Sequence, residues 1–135
     1  MAGLAWLDAN LPSLLAASAR AVLAGDALLH GGVRSDNVCL RADRTVLVDW
    51  NWACRGNPAF DLVAWAPSLR LEGGPPPEWV AGGELELAAL VAGYFAAKAG
   101  LPPPHRGSAA RDVQHRQLRV ALPWACQELG LPPPR

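Results

Sequence analysis

The stretch from Leu28 to Asp61, LLHGGVRSDNVCLRADRTVLVDWNWACRGNPAFD, interrupts an otherwise helix-forming chain and constrains its fold most. Two β-like runs, VCLR over 38–41 and TVLVDW over 45–50, are separated only by Ala42, Asp43 and Arg44, the length of a hairpin connection. ALLH over 27–30 reads as a short buried strand, and a Gly-rich polar loop from Gly31 to Asn37 joins it to the hairpin. The loop ends at Asn37 and the second β run ends near Asp49, so the two are expected at adjacent ends of one hairpin. An amide oxygen and a carboxylate are the hard oxygen ligands that Mg2+ prefers, with phosphates and water completing the shell. Taken singly, Asn37 reads as a turn residue and Asp49 as a solvated strand end. It is their pairing that points to a cation site.

Helices are expected on both sides. Residues 11–24 are rich in Leu and Ala, with Leu11, Leu14, Leu15, Ser18 and Val22 on one face, Asn10 as N-cap, Pro12 in the first turn and Gly25 as the stop. A second helix is expected from Asn57-Pro58 through about Leu69. The Gly-Gly and Pro-Pro-Pro of 71–82 predict loop. A third helix runs from about Gly83 to Lys98, with Leu87, Leu90, Val91, Tyr94 and Phe95 as its apolar stripe. After a second loop at 101–107, Ser108 caps a last helix through Leu129, where Pro123 either kinks the helix or starts a new segment. The expected class is α+β, mainly helical, with a small β-hairpin, in a single domain spanning 1–135.

Composition removes several functions. Twelve basic residues balance twelve acidic ones, which excludes the charge excess of a nucleic-acid or membrane-surface binder. No apolar run reaches the roughly 18 residues of a membrane span. LPSLLAASA has the texture of a signal core, but the residues before it carry Asp8 and no Lys or Arg, so a helix is the better reading. Cys39, Cys54 and Cys126 lie far apart without a CxxC pair, which favours inert thiols in a reducing cytoplasm over a zinc site. From Leu101 onward five Arg face Asp112 and Glu128, and from Leu71 to Gly100 four Glu face Lys98; both read as solvated faces.

In order along the chain stand His30-Gly31-Gly32, then Val33-Arg34-Ser35-Asp36, then Asn37; Asp49-Trp50 follow, and then Gly56, Pro58 and Asp61. This series resembles the aminoglycoside phosphotransferase family. Members of that family have a kinase-like fold and carry His-Gly-Asp, four residues and Asn, then a metal-binding Asp, then Gly, Pro and Asp at the head of a helix. The resemblance implies a protein-kinase-like C-terminal lobe over nearly the whole chain, and ATP-dependent transfer of phosphate to a hydroxyl of a small substrate. It implies Mg2+ and ATP as cofactors, Asn37 and Asp49 as metal ligands, and His30 as a brace of the catalytic loop. Asp61, early in its helix, is expected to accept backbone N–H groups of the loop.

Two departures qualify that inheritance. The family's catalytic Asp is Gly32 here, so no side chain is present to act as base, and Asp36 and Asp26 do not obviously reach its place. The nucleotide-holding N-terminal lobe is absent from these residues: there is no Gly-rich phosphate motif, and the only Lys is Lys98. The expected function is therefore a truncated phosphotransferase lobe that is inactive alone. The alternatives are a pseudokinase-like binding or regulatory module and a nonfunctional product of a shortened gene. Expected partners are a small hydroxylated substrate and a separately encoded N-terminal lobe or a second copy of the chain. Trp50, Trp52 and Trp65 read as packing residues, and Arg34 and Arg55 as surface charges.

Overall fold

Leu- and Ala-rich sequence builds the first element, α1, over Ala2–Arg20 in the computed structural model, which describes residues 2–134. Three-residue strands follow at β1 (Ala27–Leu29), β2 (Val38–Leu40), β3 (Thr45–Leu47) and β4 (Cys54–Gly56). The helices α2 (Phe60–Leu71), α3 (Pro77–Ala81), α4 (Leu85–Ala99) and α5 (Ala110–Glu128) complete the chain. The described residues are thus α+β and mainly helical.

The core lies among the helices. Leu14 of α1, Val63 and Ala66 of α2, and Leu87, Ala88, Val91, Ala92 and Phe95 of α4 pack with Ala121, Trp124, Ala125 and Cys126 of α5 in one buried cluster. Its many alanines let helix axes approach closely, and Trp124 and Phe95 fill the remaining volume. Burial raises the pKa of the Cys126 thiol, so this cysteine is a core side chain and not a reactive one. Polar ties lock the helices together. Gln117 Nε2 donates to Ser68 Oγ at 2.7 Å, joining α5 to α2. Glu128 accepts from Trp124 Nε1 and from the Gly83 N–H, both at 3.0 Å.

The β layer is two separate antiparallel pairs. The hairpin pairs Val38 with Leu47, Cys39 with Val46 and Leu40 with Thr45, and Arg41 N–H closes it on Arg44 O at 2.9 Å. Its strands are shorter than the runs 38–41 and 45–50, because the backbone leaves the extended region by Asp49, whose φ is +63°. β1 pairs with β4 in the register Ala27–Gly56, Leu28–Arg55 and Leu29–Cys54. Gly25 and Gly56 permit the closest backbone approach in this layer, since a Cβ on Gly25 would meet Gly56 O at 2.5 Å.

Several expectations are corrected. The first helix is Ala2–Arg20, not 11–24: Asn10 is buried inside it, its Nδ2 donating to Trp6 O at 2.7 Å, and Pro12 is interior. Gly25 is therefore not its stop. Strand β4 falls on Cys54-Arg55-Gly56, which carries no β-forming pattern. The second helix begins at Phe60 after a turn in which Asn57 Oδ1 accepts the Ala59 N–H at 3.0 Å. The stretch 71–82 is not all loop, because Pro77 opens α3. Tyr94 is 52% exposed and stands outside the apolar stripe. Pro123 does not start a new segment but lies inside α5, and Ser108 Oγ accepts the Ala110 N–H at 3.3 Å. Among the described residues, no helix is long and apolar enough to cross a membrane.

The neighbouring aromatics of α4 give a direct test. Phe95→Ala removes a ring that is 6% exposed and is expected to cost about 3–5 kcal/mol in urea denaturation. Tyr94→Ala is expected to cost less than about 1 kcal/mol.

Candidate functional site

Asp61, in the first turn of α2, accepts the His30 N–H on Oδ2 at 2.6 Å and the Gly31 N–H on Oδ1 at 2.9 Å. One carboxylate thus fixes two successive amides at the exit of β1 and holds the start of the polar loop against the helical core. The His30 side chain makes a second tie, with Nε2–H donating to Val48 O at 2.8 Å. A carbonyl only accepts, so Nε2 carries a proton in this bond. Nδ1 is buried and has no partner, and the ring lies 4.6 Å from the Trp50 ring, tilted by 57°. The imidazole thus spans from the loop to the end of the hairpin.

The two glycines that follow differ in kind. Gly31 has φ +73°, and a Cβ there would meet Trp52 O at 2.6 Å, so the backbone requires glycine. Gly32 carries no such requirement. A Cβ at Gly32 would sit 3.8 Å from His30 Nδ1 and 3.8 Å from Trp52 Cδ1, both ordinary contacts.

Asn37 closes the loop. Its side chain is buried, its Nδ2 donates to Gly32 O at 2.9 Å, and its own carbonyl accepts the Val48 N–H at 2.9 Å. Asn37 is therefore bonded to the residue that precedes Asp49. With the amide nitrogen committed to Gly32, the amide oxygen is the atom of Asn37 suited to a cation. Asp49 is exposed, and its Oδ1 accepts from Asn51 Nδ2. A non-glycine residue at φ +63° is uncommon and costs of the order of 1 kcal/mol or more, and such positions concentrate at functional sites.

The other candidates lie apart from this arrangement. Asp36 is exposed and paired with Arg34 at 2.8 Å. The carbonyl of Asp26 accepts from Arg55 Nη1 at 3.0 Å, on the strand side of the layer. Lys98 sits on α4 with its ammonium 5.8 Å from the Tyr94 ring centroid. Trp50 is half-buried against His30, Trp52 is 75% exposed, and Trp65 is partly buried. Among the described residues, no three His, Cys, Asp or Glu side chains gather as a metal-binding group. Asn37 and Asp49 would supply two protein ligands, and phosphate and water the rest of the shell.

Sequence reasoning missed a second face of the loop. A cavity of about 320 Å3 is lined by Arg34 and Asp36 of the loop, Ser68, Leu71 and Glu72 around the end of α2, and Val113, Arg116 and Gln117 of α5. Ser35 Oγ donates to Glu72, joining loop and helix at its edge. The loop, α2 and α5 residues are brought together over 32 positions and more, so no local pattern announces the cavity.

Removing the Asp61 carboxylate is expected to release the loop and spare the helices. In Asp61→Ala, the His30 and Gly31 amides are expected to exchange at least about tenfold faster with solvent, as loss of a bond worth about 1.4 kcal/mol dictates. Protection in α4 and α5 is expected to hold. Hydrogen exchange read residue by residue checks both.

Comparison with protein families gives one match over most of the chain: the model described as the phosphotransferase enzyme family covers residues 2–110. No curated protein and no solved structure matches.

Proposed function

The chain belongs to the phosphotransferase enzyme family, and on that premise we propose that it is the catalytic-loop lobe of a small-molecule phosphotransferase that keeps its metal ligands, has lost its base and does not turn over alone. The observation that carries this reading is the pairing of a braced loop with Gly32. Asp61 and His30 hold the loop, and Asn37 is bonded to the residue beside Asp49, yet position 32 offers no proton acceptor although its Cβ would fit. Loss of a general base lowers the rate by about 10²–10⁴-fold.

The donor set suits Mg2+. Asn37 and Asp49 would hold it through an amide and a carboxylate oxygen, and the ion would supply neutralisation of phosphate charge. The described residues do not fit the phosphates of ATP by themselves: the one Lys lies over Tyr94 on α4, and neither a GxGxxG nor a GxxxxGK(S/T) phosphate motif is present. In this reading a nucleotide-holding lobe meets the β layer, where Leu28, Leu40, Val48, Trp50 and Trp52 are exposed. Large apolar side chains left exposed on the β layer suit an interaction surface. The partners are then this lobe and a small hydroxylated substrate.

Two measurements test the reading. A coupled ADP-release assay with MgATP and a panel of small alcohols and aminoglycosides is expected to show no turnover above background; turnover lost in Asp49→Ala would overturn it. Calorimetry with Mg2+ alone is expected to give a dissociation constant weaker than about 1 mM, because Mg2+ keeps its waters when phosphate is missing. Tighter binding that persists in Asp49→Ala would place the metal elsewhere.

A further inference from the structure

We propose that the cavity between the loop and α5 binds a small hydroxy compound bearing an oxyanion, a carboxylate or a phosphate, through Arg116. The inference rests on the reading of the chain as a small-molecule phosphotransferase lobe and names the class of molecule its site takes. Four charged side chains line the cavity: Arg34, Arg116, Asp36 and Glu72. Three are already engaged. Asp36 is paired with Arg34 at 2.8 Å, and Glu72 accepts from Ser35 Oγ. The Arg116 side chain makes no ion pair or hydrogen bond among the described residues.

The free valence of the cavity is therefore cationic, although its formal charge sums to zero. A guanidinium presents five donors in a planar fork that matches a carboxylate or phosphate in bidentate geometry. Ser68 Oγ, which accepts from Gln117, keeps its own proton to donate. Leu71 and Val113 supply an apolar wall. At about 320 Å3 the cavity lies at the low end of ligand pockets, which suits a molecule of a few carbons. A polycation would find both carboxylates occupied and Arg116 repelling it. Arg116 also lies beyond residues 2–110, so the family match does not assign it.

Titration calorimetry of the full chain at low salt tests the proposal with four probes: glycerate, glycerol 3-phosphate, inorganic phosphate and spermidine. Glycerate or glycerol 3-phosphate is expected to bind, and the better of the two identifies the anion. Spermidine is expected not to bind. Arg116→Gln is expected to weaken the acid at least about tenfold with the thermal midpoint unchanged, because Arg116 is exposed. Arg116→Lys is expected to recover part of the loss, since a point charge lacks the fork. Asp49→Ala is expected to leave this binding unchanged. Acid binding that survives Asp49→Ala while the Mg2+ experiment fails would retain this site and remove the metal reading. The proposal is overturned if none of the acids binds, if Arg116→Gln has no effect, if spermidine binds better, or if inorganic phosphate alone binds as tightly as the hydroxy compounds.

Discussion

The carboxylate of Asp61 is the constraint on which the rest of the loop layer depends. Two-stranded antiparallel pairs of three residues each are not stable in water by themselves. β1–β4 and β2–β3 form separate sheets, so neither pair extends the other. What binds them to the helical core is a set of polar ties that cross between them. Asp61 anchors the chain leaving β1 to α2, His30 reaches the carbonyl after β3, and Asn37 bridges from Gly32 to Val48. The charge on Asp61 matters because a carboxylate accepts a backbone N–H about twice as strongly as a neutral oxygen does. The buried imidazole then converts a local anchor into a link between the loop and the hairpin.

The parts of this arrangement that a sequence carries are the local ones. The hairpin was legible because three turn residues separate two β-forming runs, and the adjacency of Asn37 to Asp49 follows from that pairing alone. The beginning of α1 was hidden because Asn10 and Pro12 look like helix-start chemistry; Asn10 instead bonds Trp6 O one turn back and is buried by tertiary packing. Cys54-Arg55-Gly56 has no strand character of its own and becomes β4 only because Ala27–Leu29 lies beside it. Pro77 sits in a run of prolines and glycines that reads as loop, yet its fixed φ suits the first turn of a short helix. The cavity is the least legible feature, since α2 and α5 meet there across more than 40 residues.

α5 links stability to the site. Ala121, Trp124 and Ala125 are core residues, while Gln117, one turn earlier, bonds Ser68 and lines the cavity together with Arg116. The helix that completes the hydrophobic cluster thereby also fixes one wall of the cavity. Because side chains in such a core are close-packed, a shift of α5 large enough to reshape the cavity would have to disturb Trp124.

Positions 32 and 49 invert what their backbones favour. Asp49 occupies a left-handed conformation that a glycine would adopt at no steric cost, and Gly32 occupies one that would admit a side chain without a clash. At position 49 a carboxylate is kept on a strained backbone; at position 32 a glycine stands where a Cβ would fit. In the proposed reading, the two positions therefore separate the two halves of a transfer reaction, charge neutralisation and proton removal, into one half the chain holds at a conformational cost and one it lacks without steric need.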